Sequence, residues 1–232
     1  QHVDVEIMDS EEQSYVSPND IVCYIQNKGA NPIGKNVQDI SSQAIEDILN
    51  EHPVIRHAEC YISNEGDVHI RLTQRMPLLR VITVTESYYI DKDRTKMPIL
   101  PYVKSTAMVV TGHVGERMAQ EEIGDLVEWI NDNKYWKQRI TRISIGEGKQ
   151  LTLRQKEGEP YIIVGDMKGY QQKLKKLRIL QEKKPQDMEM PTYRAWGLRY
   201  DKQVIGRKKK NLNHEKKGKR STGIKGRTFG GD

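Results

Sequence analysis

Residues 45–75 read IEDILNEHPVIRHAECYISNEGDVHIRLTQR, and the fold turns on how this passage changes period. Ile45, Ile48 and Leu49, with Ile40 before them, share one face at helical spacing. The helix must end before Pro53, because a following proline pushes the preceding residue out of the α region. Period two then takes over. Ile55–Ser63 and Val68–Arg75 alternate as strands about Asn64-Glu65-Gly66-Asp67, a turn tetrad with glycine where positive φ is needed. Upstream, Ser17-Pro18-Asn19-Asp20 is a helix start: serine caps, proline suits the first turn, and the acid favours the positive helix end. Ile21, Val22 and Ile25 give that helix its apolar stripe, Gly29 a stop, and 30–36 a loop. His2–Met8 alternates as a strand. The order is strand, helix, helix, strand, strand.

Pro77 marks a boundary, and beyond it the pattern is richer in strands. Strands are expected at Leu79–Thr85 and Tyr88–Asp91, then a turn over Asp91–Lys96, then a strand at Ala107–Thr111. Glu116–Asn131 is an amphipathic helix with Ile123, Leu126, Val127 and Ile130 on one face. Short strands follow at Arg142–Ile145, Gln150–Arg154 and Tyr161–Val164. Tyr170–Lys184 forms a second helix, striped by Tyr170, Leu174, Leu177 and Leu180, and Gly197–Ile205 is the closing strand. The chain is therefore α+β, with units at residues 1–76 and 77–206 and separate cores expected on either side of Pro77.

At 232 residues the chain can bury one large or two small cores. The only phenylalanine is Phe229, so those cores are built from aliphatics, Met, Tyr and Trp. Charge is segregated. Residues 207–232 hold ten Lys or Arg against Glu215 and Asp232, a net of +8, whereas the whole chain carries +6. The body is thus near neutral, and the basic character belongs to a tail with almost nothing to bury, expected to be disordered. Cys23 and Cys60 are too few for a disulfide scaffold. They read as two buried free thiols, or as one bridge between them. The chain opens without Met inside an alternating run, so a membrane helix upstream of Gln1 fits the pattern.

Nothing in the residues argues for an enzyme. Gly146-Glu147-Gly148-Lys149-Gln150 lacks the glycine spacing, hydroxyl residue and helix of a phosphate loop, and reads as a tight hairpin turn. His52, His57 and His69 fit no ligand spacing. Asp91 and Asp93 lack the other oxygens of a calcium loop. No motif that would force Ser, His and Asp into a triad is present. No cofactor is expected. The tail's cations could neutralise phosphates, but no stacking aromatics accompany them, so no specific nucleic-acid binding is expected.

Several phrases then fall into an ordered set. They are Ile45-Glu46-Asp47-Ile48-Leu49, His52-Pro53-Val54-Ile55, Ala58-Glu59-Cys60-Tyr61-Ile62-Ser63, Gly66-Asp67-Val68-His69-Ile70, Gln74-Arg75-Met76-Pro77 and Arg80-Val81. Downstream come Tyr88-Tyr89-Ile90-Asp91, Met97-Pro98 and Leu198-Arg199-Tyr200-Asp201-Lys202-Gln203-Val204. From about residue 2 to 206 the chain resembles the periplasmic part of the bacterial cell-division family FtsQ/DivIB, in its Bacteroidetes-like version. Two features depart from the pattern: Asp93-Arg94-Thr95 stands where the family usually has glycine, and the tail lies outside it.

The resemblance implies a POTRA domain at 1–76 and the family's β domain with flanking helices at 77–206, and it leaves the basic tail at 207–232 outside. It implies a non-enzymatic component of the cell inner membrane with one transmembrane helix, this region lying in the periplasm. Partners would be the division proteins FtsB and FtsL, with other division proteins contacting the POTRA domain. FtsB would add a strand to the terminal edge, involving Leu198, Arg199, Tyr200, Asp201, Lys202, Gln203 and Val204, with Lys173 and Lys176 on the preceding helix. An open edge offers unpaired N–H and C=O groups, and Tyr200 a large amphipathic contact. POTRA modules also serve outer-membrane protein assembly and secretion. That alternative needs further POTRA repeats or a barrel, and a third reading makes the basic tail a nucleic-acid binder.

Overall fold

The computed structural model describes residues 2–11, 14–99, 105–183, 193–199 and 203–208. The chain is α+β: a POTRA-like region followed by a large mixed sheet. The first region opens with β1 (Val3–Ile7), α1 (Pro18–Asn27), a 3-10 turn (Val37–Asp39) and α2 (Ser42–Asn50). It closes with β2 (Ile55–Ile62) and β3 (Val68–Gln74). β3 is central, parallel to β1 and antiparallel to β2. The start of α1 is a reciprocal cap. Ser17 Oγ accepts from the Asp20 amide at 3.3 Å, and Asp20 Oδ2 accepts from the Ser17 amide at 2.8 Å. Pro18 sits at the first helical position, where a missing N–H costs nothing. Ile21, Ile25, Ile45 and Leu49 from the helices bury against Ile55, Val68, Ile70 and Leu72 from the strands.

Among the described residues the second sheet has nine strands: β4 (Pro77–Ile82), β5 (Ser87–Asp91), β6 (Lys96–Met97), β7 (Met108–Gly112), β8 (Ile140–Ile145), β9 (Leu151–Gln155), β10 (Tyr161–Gly165), β11 (Tyr193–Gly197) and β12 (Ile205–Lys208). Their spatial order is β12-β11-β10-β9-β8-β7-β4-β5-β6. Two of the parallel neighbours, β7–β8 and β10–β11, are joined through helices, as parallel strands require. The first crossover holds α3 (Glu116–Met118), a π-helical turn (Ala119–Ile123), α4 (Gly124–Asp132) and α5 (Lys134–Lys137). The second holds α6 (Tyr170–Lys183). Leu126, Val127 and Ile130 of α4, with Leu174 and Leu177 of α6, cover one face of the sheet, packing on Val81, Val110, Ile143, Leu153 and Ile162.

The expectation of separate cores meets a qualification at Tyr89 and Met97. Both lie beyond Pro77, and both pack into the first core. Their neighbours are pinned by charge. Arg75 donates to Asp91 Oδ2 at 2.9 Å, and Arg56 reaches Asp93 from two nitrogens at 2.6 and 3.0 Å. The helix expected over Glu116–Asn131 is interrupted by the π turn. The cysteines are both free: Cys60 is buried, whereas Cys23 is exposed, against the expectation for that residue. His52 meets Tyr24 edge-on, His57 lies 3.4 Å from Glu59, and His69 3.4 Å from Asp4. Gly146–Gln150 is the tight turn joining β8 to β9, the Gly146 amide donating to the Gln150 carbonyl at 2.9 Å.

Candidate partner-binding edge

The closing strand is the main correction to the sequence reading. Gly197–Ile205 is not one strand. Strand β11 ends at Gly197, Leu198 keeps one amide bond to β10, and β12 begins at Ile205 and returns antiparallel to β11. Residues 200–202 lie outside the described residues, so Tyr200, Asp201 and Lys202 are not placed. The tail proposed to start at Arg207 begins later, since Arg207 and Lys208 belong to β12. From 209 onward the tail lies outside the described residues.

Strand β12 is the last in the sheet, and all four of its residues are exposed, Ile205 at 41%. Its inner side is fixed by a ring stack. Tyr193 and Trp196 lie 4.7 Å apart and nearly parallel, and a register shift between Tyr193 and Ala195 brings both rings near Gly206. A Cβ at Gly206 would stand 2.5 Å from Tyr193 Cε1 and 3.0 Å from Trp196 Cζ3. Glycine is thus required by contact, so that β12 can lie flat on the rings. Trp196 is fully buried, and its Nε1 has no hydrogen-bond partner among the described residues.

On the opposite face Ile163, Gly197 and Ile205 form one row across β10, β11 and β12. The bare glycine in the middle leaves a notch of about 70 Å³, lined also by Arg199 and Arg207. It is the size of a small aliphatic side chain. Its apolar floor and two cationic walls suit an apolar residue flanked by a carboxylate.

The remaining residues singled out from sequence fall in different surroundings. Leu198 is 2% exposed, belongs to the large core, and donates its amide to the Ile163 carbonyl at 2.8 Å, so it is packing rather than contact surface. Arg199 is exposed, its stem lying over Gly165. Gln203 is exposed and Val204 half-buried against the core. Lys176 is exposed on α6. Lys173 is buried, and its ammonium donates to Asp166 Oδ1 at 2.6 Å and to the Asp166 carbonyl at 3.3 Å. The Lys173 hydrogen bond holds the Asp166 carboxyl below its ordinary range. Ile205 was expected at the end of the closing strand, whereas Gly206, Arg207 and Lys208 were not expected in it, and the glycine beside Ile205 was the available signal.

A family model described as FtsQ/DivIB, C-terminal related, matches residues 76–207, and a POTRA-like domain model matches residues 1–73. The chain belongs to the FtsQ/DivIB family. FtsQ/DivIB proteins are non-enzymatic components of cell division, and the matched region reaches Arg207 in the terminal strand. The comparison with curated proteins found no match. Among the described residues of this FtsQ/DivIB chain, no helix is long and apolar enough to cross a membrane.

Proposed function

We propose that this FtsQ/DivIB-family chain is the periplasmic part of a single-pass inner-membrane division scaffold, and that its β12 edge takes a strand from an FtsB/FtsL-like partner. In this reading residues 1–76 and 77–206 act as separate units, the first available to other division proteins. The observation that carries it is β12 itself: an exposed terminal strand with no strand beyond it among the described residues, beside an apolar notch. Alternate residues of an edge strand point their N–H and C=O outward. A four-residue strand therefore offers an incoming chain a few backbone bonds, each worth about 0.5–1.5 kcal/mol net. Side chains must add the rest. Arg199 and Arg207 select carboxylates, Tyr200 supplies an aromatic contact, and Lys176 meets a further acid. Lys173 enters as a positioning residue, through the loop at Asp166.

The test is calorimetric titration of the cognate FtsB-like peptide into the chain and its variants. Neighbouring residues of a strand point their amides in opposite directions. Of Arg207→Pro and Lys208→Pro, one therefore removes an outward N–H and leaves the fold intact by circular dichroism. That variant loses affinity at least about tenfold, and Tyr200→Ala loses a similar amount. Wild-type affinity in every proline variant that stays folded overturns strand addition.

A further inference from the structure

The helices cover one face of the nine-stranded sheet, and the register assigns what stands on the other. Arg80 pairs with Val109, Val109 with Arg142, and Arg142 with Arg154. The Ile162–Leu153 pairing puts Tyr161 next, then Ala195 and finally Arg207. Arg80, Arg142 and Arg154 each follow or precede a fully buried residue such as Leu79, Val81, Ile143 or Leu153, and Arg207 follows Gly206, which lies against the Tyr193 and Trp196 rings, so the row faces away from α4 and α6. At about 4.8 Å per strand the row runs roughly 29 Å across the sheet. Beside it runs a parallel, uncharged row of Thr111, Ser144, Thr152 and Ile163.

These arginines differ from the rest of the molecule in one respect. Arg80, Arg142, Arg154 and Arg207 have no carboxylate partner among the described residues, nor do Arg194 and Arg199 near the same edge. Every other described arginine is ion-paired. Arg80 lies over the Tyr89 ring at 5.8 Å, and its Nε is buried without a hydrogen-bond partner among the described residues. Cations directly across neighbouring strands, as Arg142 and Arg154 are, repel one another. A row built this way is stabilised by an anion from outside.

We propose that the face of this sheet opposite α4 and α6, from β4 to β12, where no helix covers it among the described residues, is a second docking surface, for an extended acidic segment of another polypeptide laid across the strands along the arginine row. Charge complementarity names the ligand. The surface favours a peptide over a lipid bilayer because Val109, Tyr161 and Ala195, which separate the arginines, are half-buried or buried, and none stands out to enter an acyl layer. An alternating acid and apolar chain of about nine residues spans the row at 3.3 Å per residue. This surface does not depend on strand addition at β12.

The probe is a fluorescein-labelled peptide of alternating Glu and Val, about nine residues long to match that span, titrated into the full chain by fluorescence anisotropy. The basic tail attracts any anion, so the comparison is between charge-matched variants that all retain it. Arg142→Ser/Arg154→Ser removes two cations from the row, and Arg117→Ser/Lys134→Ser removes two exposed cations from the helical crossover. The row variant is expected to weaken binding at least about fivefold at low ionic strength, the difference shrinking with salt, while the crossover variant changes it less than about twofold. Equal effects of the two variants overturn the proposal, because the peptide then reads only net charge. Phosphatidylglycerol vesicles are the second arm. If the row variant loses vesicle binding and keeps peptide binding, the acidic-peptide assignment is overturned in favour of a membrane surface. The cognate FtsB-like titration of the row variant separates the two sites: retained affinity leaves strand addition standing whatever the anisotropy result.

Discussion

Tyr193 rests on Gly206 so closely that a single added carbon would stand 2.5 Å from its ring. The contact couples the outermost strand to the core, since the same ring stacks on the buried Trp196. Gly206→Val should push the strand off the rings. Overpacking of this kind costs about 1–3 kcal/mol. The expected result is that loss by denaturant unfolding, together with loss of FtsB-like peptide binding. Unchanged stability in Gly206→Val would show that β12 is not seated on Tyr193.

Asp91 is 1% exposed and accepts from both Arg75 and the Thr95 amide, at 2.9 and 2.6 Å. Removing it strands a mostly buried guanidinium. Asp91→Ala should therefore cost about 3–5 kcal/mol, whereas Arg75→Met/Asp91→Leu, which removes both charges, should cost much less. A urea double-mutant cycle measures the difference. Losses that add would mean the two groups do not depend on each other.

The Arg94 guanidinium occupies the space a side chain at Gly124 would need, and it also reaches Asp125 and Glu128 at 2.9 and 2.8 Å. Gly124→Ala gains about 1 kcal/mol of helix propensity and displaces a guanidinium whose exposed pairs are worth about 0–1 kcal/mol each. The two nearly cancel. In an Arg94→Ala background the substitution should stabilise by about 1 kcal/mol. The same change in both backgrounds, read by thermal unfolding, would contradict the account.

Burial pushes the Cys60 thiol up from its ordinary 9.0 to about 11, with the nearby Glu46 adding to the shift. The unfolded chain loses this proton first as pH rises, so the unfolded state gains. Stability attributable to Cys60 is complete below pH 9 and falls by about 2 kcal/mol as pH passes from 9 to 11. Cys60→Ala should flatten that part of the stability curve. Cys23, being exposed, should react quickly with a thiol reagent at pH 8, and Cys60 only on unfolding.

Local chemistry made the first region legible. Ser17-Pro18, the turn at Asn64–Asp67 and the stop before Pro53 each act over a few residues, and the sheet follows from them. The nine-stranded order was not legible, because the pairing of β4 with β7 or β10 with β11 joins strands far apart in sequence. Lys173 was readable and misread. It stands three residues after Tyr170 and four before Leu177, on the buried stripe of α6, so its charge had to be met within reach of a buried stem, and the exposed Asp166 carboxylate meets it. Strand β12 was missed because Gly206 and the cations after it have the composition of a tail, and only the distant rings of Tyr193 and Trp196 give them a strand's place. The π turn was hidden because the apolar stripe continues through it.

The two ends of the nine-stranded sheet are unequal. At one end β6 is two residues long, and its Met97 is sealed in the neighbouring core. At the other, β12 is exposed and carries Arg207 and Lys208. Among the described residues, strand addition as proposed therefore has one end to use, and the expected stoichiometry is one added strand per chain at this sheet. Like charge on β12 also disfavours pairing between two copies of the chain through that strand. The cations that disfavour self-association at the edge are the same ones that, in the proposed reading, select a partner of opposite charge.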